Sequence, residues 1–223
     1  MNTRLFTQAL IKLLTGVLLV GLLLFLPAGT FSYWQAWLLM AILFVPMLLA
    51  GMWLMVSNPE LLRKRLNAKE NQDEQKTVVS LSGLLFVVVL VVAGLNYRFQ
   101  WLMLPDWTTY VAAALFLLGY VMYCEVMREN TWLSRTVEVQ EHQQVISTGL
   151  YGLVRHPMYA ATMLMFLAMP IVLNSFFSFV IILFYIPLIR KRIRNEEKVL
   201  EKELPGYMEY KKRVRYKLFP YVW

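Results

Sequence analysis

The stretch Val78-Val-Ser-Leu-Ser-Gly-Leu-Leu-Phe-Val-Val-Val-Leu-Val-Val-Ala-Gly-Leu-Asn96 decides the fold. It carries no charge and comes close to the roughly 20 residues that cross a bilayer as a helix. Its apolar residues follow one another without the alternation of a lipid-facing barrel strand. In hydrocarbon only a helix or a closed barrel pairs every backbone N–H and C=O, so the run reads as a helix. Comparable runs occupy 10–26, 34–56 and 107–127, and two shorter ones occupy 158–173 and 176–189. Across 223 residues the hydrophobic content is 59% and the mean hydropathy +0.53, more apolar surface than a soluble domain of this size buries. The expected fold is all-α and polytopic, an integral membrane protein with about five to six transmembrane helices built as one structural unit. Residues 1–128 supply its N-terminal transmembrane helices and 129–223 form a C-terminal region where polar groups interrupt the apolar pattern.

The short runs meet at 169–175, where Pro170 and Asn174 predict a tight helical hairpin that either crosses as a tilted pair or stops inside the protein. Six crossings put both termini on one side, and the basic residues test this independently. Of 22 Lys and Arg, 21 fall in the segments assigned to that side and only Arg98 lies outside, so the termini are expected in the cytoplasm. A cleaved secretory signal is the other reading of the first run, given its basic start and small residues at Ala28 and Gly29. Trp34, Trp37, Trp53, Trp101, Trp107 and Trp132 lie near span ends, as an interfacial aromatic belt places them. The connection 58–76 reads as solvated and partly helical, with no chemistry assigned.

Cys124 is the single cysteine and His142 and His156 the two histidines, too few for a disulfide or a metal cluster. The net charge of +8 flanks apolar spans instead of covering a soluble face, so nucleic acid is not the expected partner. The aromatic and basic tail 207–223 is read the same way, as an interfacial segment drawn to anionic head groups of the membrane lipids.

Chemistry concentrates after Glu129. In Gly149-Leu-Tyr-Gly-Leu-Val-Arg-His-Pro-Met-Tyr159, Pro157 suits the first turn of a helix and His156 its cap, which points unpaired N–H groups toward an anion such as a carboxylate. Downstream, Ile189, Ile193, Leu200 and Leu204 share a helical face that Glu196 and Glu197 interrupt. A carboxylate there needs a cation, because desolvating an unpaired charge costs several kcal/mol. Arg192, four residues before Glu196, supplies one as a structural pair; a cationic ligand is the alternative. The stretch 140–146 offers polar groups and an apolar wall, as an adenine ring requires.

The sequence Val145-Ile-Ser-Thr-Gly-Leu-Tyr-Gly-Leu-Val-Arg-His-Pro-Met-Tyr159, a short hairpin, then Arg194-Asn-Glu-Glu197 and Gly206-Tyr-Met-Glu-Tyr-Lys-Lys-Arg-Val214, resembles the isoprenylcysteine carboxyl methyltransferase family and its phospholipid methyltransferase relatives. The resemblance covers 129–223 and implies an S-adenosylmethionine-dependent enzyme whose C-terminal segments enclose the cofactor, with a lateral opening for a lipophilic substrate from the bilayer. It places Gln143, Gln144, Val145, Ile146 and Tyr151 at the adenine and ribose, and His156, Pro157, Met158 and Tyr159 at the amino-acid end. Glu196 takes the ammonium, Arg192 faces a substrate carboxylate, and Asn130 and Arg135 join a polar cluster on the substrate side. Arg192 and His156 are the catalytic candidates, His156 as a base should the acceptor be an amine or thiol. Two departures stand out: the family's histidine before the Gly-x-Tyr turn is Gln143 here, with His142 one place earlier, and its glycine after Tyr159 is Ala160.

Methyl transfer from a sulfonium is an in-line displacement, so alignment and exclusion of water are the protein's tasks, and an ionised carboxylate acceptor needs no base. A Gly-x-Gly-x-x-Gly turn is absent, which argues against a Rossmann cofactor domain but not against the cofactor. Two other readings remain. Membrane sterol reductases share this C-terminal arrangement and bind NADPH, for which the cluster 190–194 could hold a 2′-phosphate. A non-catalytic membrane protein would keep Glu196 and Glu197 only as partners of basic neighbours.

Overall fold

The computed structural model describes residues 3–66, 73–134 and 136–223. Helices α1 (Thr3–Ala28), α2 (Trp34–Ser57), α3 (Pro59–Leu66), α4 (Asp73–Phe99) and α5 (Asp106–Glu129) are followed by a 3₁₀ turn (Gly149–Gly152), α6 (Pro157–Val172), α7 (Phe176–Ile182), α8 (Tyr185–Glu203) and α9 (Tyr207–Arg213). No strand occurs among the described residues. Four helices, α1, α2, α4 and α5, are long and apolar enough to cross a membrane. Their outward residues, among them Leu18, Leu26, Val56, Leu84 and Val121, are exposed, as helices that use lipid as solvent require.

The hairpin question has a structural answer. Asn174 turns the chain at φ +54, and the helices on either side are α6 and α7. The Tyr33 hydroxyl donates to the Leu173 carbonyl, Leu104 N–H donates to Asn174 Oδ1, and Asn96 Nδ2 lies 3.5 Å from the Asn174 carbonyl. Tyr33 precedes α2, Asn96 ends α4, and Leu104 leads into α5, so the tip lies level with both loops on the face opposite α3. The hairpin therefore runs the depth of the bundle, although α6 by itself, at about 24 Å, falls short of the hydrocarbon thickness.

The last apolar run is not one helix. Pro187 has no N–H to offer the Leu183 carbonyl and its ring crowds that carbonyl, so the helix breaks at Leu183 and Phe184, one turn earlier. The break separates α7, packed on α4, from α8, which returns toward the polar end.

Small residues set the spacing of the central pair. α5 presents Ala112, Ala113 and Gly119 to Ala160, Ala161 and Ala168 of α6, the packing that lets backbones approach where lipid supplies no hydrophobic drive. A Cβ on Gly119 would stand 2.5 Å from Met165 Cγ and 3.0 Å from the Ala161 carbonyl. Gly119→Val is expected to cost about 1–3 kcal/mol, read as a lower melting temperature in detergent, with Gly83→Ala, where a Cβ meets nothing within 4 Å, as the permissive control.

Trp34, Trp37, Trp53, Trp101 and Trp107 are exposed near helix ends, as a belt predicts, but Trp132 is not among them in role. It lies in the irregular segment after α5, under the Lys64 ammonium at 5.5 Å. The connection 58–76 is partly helical, as expected, but α3 is not simply solvated, and residues 67–72 lie outside the described ones. Leu61 and Leu62 of α3 are buried in a second core with Leu5, Leu54, Val126, Met127 and Tyr151, which brings Lys64 and Arg65 against the C-terminal region.

Candidate active site

The polar end of α6 starts as the sequence predicts, with His156 at the cap and Pro157 in the first turn. Arg155 and His156 are both buried, and the C-terminal tail is what buries them. Arg155 Nη1 donates to the carbonyls of Val214 at 2.8 Å and Arg215 at 2.7 Å. The N–H groups of Arg155 and His156 donate to the carbonyls of Tyr216 and Lys217, each at 2.9 Å. The tail is thus stitched beneath the Arg-His-Pro turn and forms part of the site, a structural role beyond the interfacial one expected.

The two acids of α8 have different surroundings. Glu197, its side chain 6% exposed, accepts from Arg155 Nε at 2.8 Å, pairs with Lys217 Nζ at 2.6 Å, and lies 3.3 Å from His156 Nε2. Burial alone would raise its pKa, but the hydrogen bonds from His156 and Lys217, with the charges of His156 and Arg155, outweigh it and hold the carboxyl well below the usual range. Glu197 is therefore a structural acid. The expected structural pair of Arg192 with Glu196 is corrected to Arg155 with Glu197, because the buried cation arrives from the start of α6 and not from one turn back on the same helix.

Glu196, one position earlier and so rotated about 100° around the helix, lines a cavity and is 25% exposed. Its Oε2 accepts from the Tyr159 hydroxyl at 2.6 Å, and His156 Nδ1 lies 3.8 Å from Oε1. Arg192 Nε donates to the same tyrosine oxygen at 2.9 Å, and Arg192 Nη1 reaches Gln75 Oε1 at 3.3 Å. Arg192 and Glu196 are joined through Tyr159, which fixes all three side chains at the cavity wall.

The cavity holds about 870 Å³ of empty space, part of it open to solvent. It brings together Asn130, Gln143, Gln144, Val145, Ile146, Tyr151, His156, Pro157, Met158, Tyr159, Arg192 and Glu196, every candidate that falls in the described residues. Arg135 lies outside them. Asn130 Nδ2 donates to the Tyr151 hydroxyl at 2.8 Å, so its amide orients the ring. Gln143 Oε1 accepts the Gln140 N–H at 2.8 Å, a turn-forming bond that leaves its amide nitrogen toward other partners, while His142 is exposed. Burial pushes the Tyr151 phenol above its ordinary range, against the pull of the Asn130 bond.

Sequence reasoning missed several wall residues. Trp132, Ser134, Thr136 and Glu138 come from a segment without periodicity, where no spacing signal exists. Tyr207 and Tyr210 of α9 also line the cavity, and their three-residue spacing on an amphipathic turn was a readable sign of one inward face. Arg65 of α3 stands just behind the wall, donating to the Ser134 carbonyl at 3.2 Å and to the Tyr123 hydroxyl.

Residues 107–205 match the phospholipid methyltransferase family. The delta(14)-sterol reductase TM7SF2 of Mus musculus is 32% identical over 91 residues, which cover 40% of this chain. The matched stretch spans 22% of the reductase's length. The family match begins at the first turn of α5 and ends at Pro205, so it takes in the Arg-His-Pro turn, the hairpin and both acids of α8, and stops before α9.

Proposed function

We propose, from the premise that residues 107–205 carry the phospholipid methyltransferase family's pattern, that this membrane protein is an S-adenosylmethionine-dependent methyltransferase acting on a lipophilic acceptor drawn from the bilayer. The observation that carries the reading is the contrast between the two acids. Glu197 is saturated by Arg155 and Lys217, whereas the cavity-facing Glu196 accepts one short hydrogen bond, from the neutral Tyr159 hydroxyl, with the His156 ring 3.8 Å away. A half-buried carboxylate so placed is suited to an ammonium. Val145 and Ile146 give the apolar wall and Gln144 the polar edge that an adenine ring uses.

S-adenosylmethionine, when bound, supplies the activated methyl group. The chain's own residues orient and enclose. Arg192, fixed by Tyr159 and Gln75, faces the acceptor and favours a carboxylate, as in a prenylated cysteine or a similar small lipid-like acid. Such an acceptor is ionised at neutral pH and needs no base. An amine or thiol acceptor must lose a proton, and His156 is the cavity base placed for it. The site lies among the basic segments, which supports a cytoplasmic site with both termini on the same side.

Methyl-labelled S-adenosylmethionine incubated with the protein and, in separate reactions, a prenylcysteine, phosphatidylethanolamine and a long-chain thiol tests the proposal. Label is expected in an organic-soluble product, base-labile if the acceptor is a carboxylate and base-stable if it is an amine. No labelled product with any of prenylcysteine, phosphatidylethanolamine or long-chain thiol would sink the reading.

The reductase match favours a second reading, an NADPH-dependent reduction of a lipophilic double bond, with Tyr159 as the proton donor held by Arg192. Consumption of NADPH dependent on a sterol-like olefin, with no methyl transfer, would select it.

A further inference from the structure

Four buried side-chain polar atoms among the described residues have no hydrogen-bond partner, and one of them, the Tyr207 hydroxyl, belongs to a residue that lines the cavity. An orphaned buried polar group is costly, and native chains retain one chiefly where something else completes it. Tyr207 is 3% exposed, and its ring is fixed against Tyr210 with centroids 5.8 Å apart. The Tyr210 hydroxyl is already spent on the Tyr151 carbonyl at 2.8 Å. Burial, then the negative charges of Glu197 and Glu196, push the Tyr207 phenol above the ordinary tyrosine range, so it remains a donor through physiological pH.

The same cavity contains a second set of donors. The first intrahelical bond of α6 runs from Ala160 N–H to the His156 carbonyl, so the amides of Met158 and Tyr159 precede it and stand at the positive end of a 16-residue helix. Glu196 contributes the opposite charge. A wall on which the Glu196 carboxylate, the unpaired Tyr207 phenol and a helix N-terminus come together is complementary to a zwitterion, an ammonium beside a carboxylate.

We propose that the Tyr207 hydroxyl donates to the carboxylate of the donor's α-amino-acid group, working with the first-turn amides of α6, while Glu196 takes its ammonium. The proposal rests on the methyltransferase reading and extends it to α9, which lies beyond the stretch that matches the family. Tyr207 is then a binding residue that recognises the amino-acid end, and α9 is part of the cofactor site as well as its cover. Gly206, at φ +82, makes the turn that delivers it.

Tyr207→Phe removes one oxygen and keeps the ring. Calorimetric titration in detergent would compare the wild type and this variant with S-adenosylhomocysteine and with 5′-methylthioadenosine, which keeps the nucleoside but lacks the amino-acid group. The expected result is a loss of about ten- to a hundredfold for S-adenosylhomocysteine, the worth of one hydrogen bond to a charged group, and little change for 5′-methylthioadenosine. The ligand-free variant should melt at the same temperature or higher, since an unsatisfied buried hydroxyl has been removed. Unchanged S-adenosylhomocysteine affinity, or an equal loss for both ligands, would overturn the role of Tyr207. Failure of the wild type to bind either ligand would instead overturn the methyltransferase reading beneath it.

Discussion

Glu196→Gln is expected to weaken S-adenosylhomocysteine binding by about ten- to a hundredfold, or roughly 1.5–3 kcal/mol, while the protein melts near the wild-type temperature. The asymmetry follows from the surroundings of the side chain. The amide oxygen of glutamine still accepts from the Tyr159 hydroxyl, so the chain from Arg192 through Tyr159 is kept. What is lost is the negative charge of Glu196 beside Tyr159, which Glu197 does not replace because it is turned into the basic knot, while Glu138, the other acid of the wall, accepts from the Ser134 and Thr136 hydroxyls. Arg192→Ala should act differently. With the proposed role of Arg192 toward the acceptor, turnover should fall more than cofactor affinity does, and single-turnover kinetics alongside equilibrium binding separate the two.

Glu197→Ala carries the second large effect, on stability. It leaves Arg155 buried with its carboxylate partner gone, and truncating one member of a buried pair costs about 3–5 kcal/mol. Because Arg155 also holds the carbonyls of Val214 and Arg215, the loss should spread into the tail and expose it to protease. Glu197→Gln, which can still accept from Arg155, should fall between the alanine variant and the wild type. The sign of the pH dependence is fixed by the depressed pKa of Glu197. The stabilisation it provides is complete above the ordinary carboxylate value of about 4.5 and is lost as pH falls below that toward the folded-state value. A melting series in detergent should therefore show the wild type losing stability below about pH 4.5 faster than Glu197→Gln.

The fold was legible where physics is local. Uninterrupted apolar runs located α1, α2, α4 and α5, and the Pro157 signal located the start of α6 to the residue. The split of the last run into α7 and α8 was also written in the chain, as Pro187, but a hydropathy window averages over a proline and hides it. The hairpin's depth was not legible, because it rests on bonds among Tyr33, Asn96 and Asn174, residues far apart in sequence whose types alone suggest loops.

The site divides the same way. Helical spacing found that two acids interrupt the stripe of α8, and it took the nearest cation on that helix as their partner. It could not tell them apart, since which of two adjacent carboxylates is met by Arg155 and Lys217 depends on how α6 and the tail pack. The wall residues Trp132, Ser134, Thr136 and Glu138 were not legible for a different reason: the chain around them is fixed by irregular turns, such as the Trp132 N–H donating to Asn130 Oδ1, which leave no period to read. The contribution of α3 was hidden by its charge, because Arg63, Lys64 and Arg65 look like a solvated face until Leu61 and Leu62 are seen to bury the other side.

The central claim is that the charge on Glu196 faces a cavity built for a cationic amino-acid group. Titration calorimetry of the purified wild-type protein with S-adenosylhomocysteine, with NADPH run in parallel, tests it most directly. Saturable one-to-one binding of S-adenosylhomocysteine with no heat from NADPH is the predicted result. Saturable binding of NADPH alone, or of neither, would contradict it.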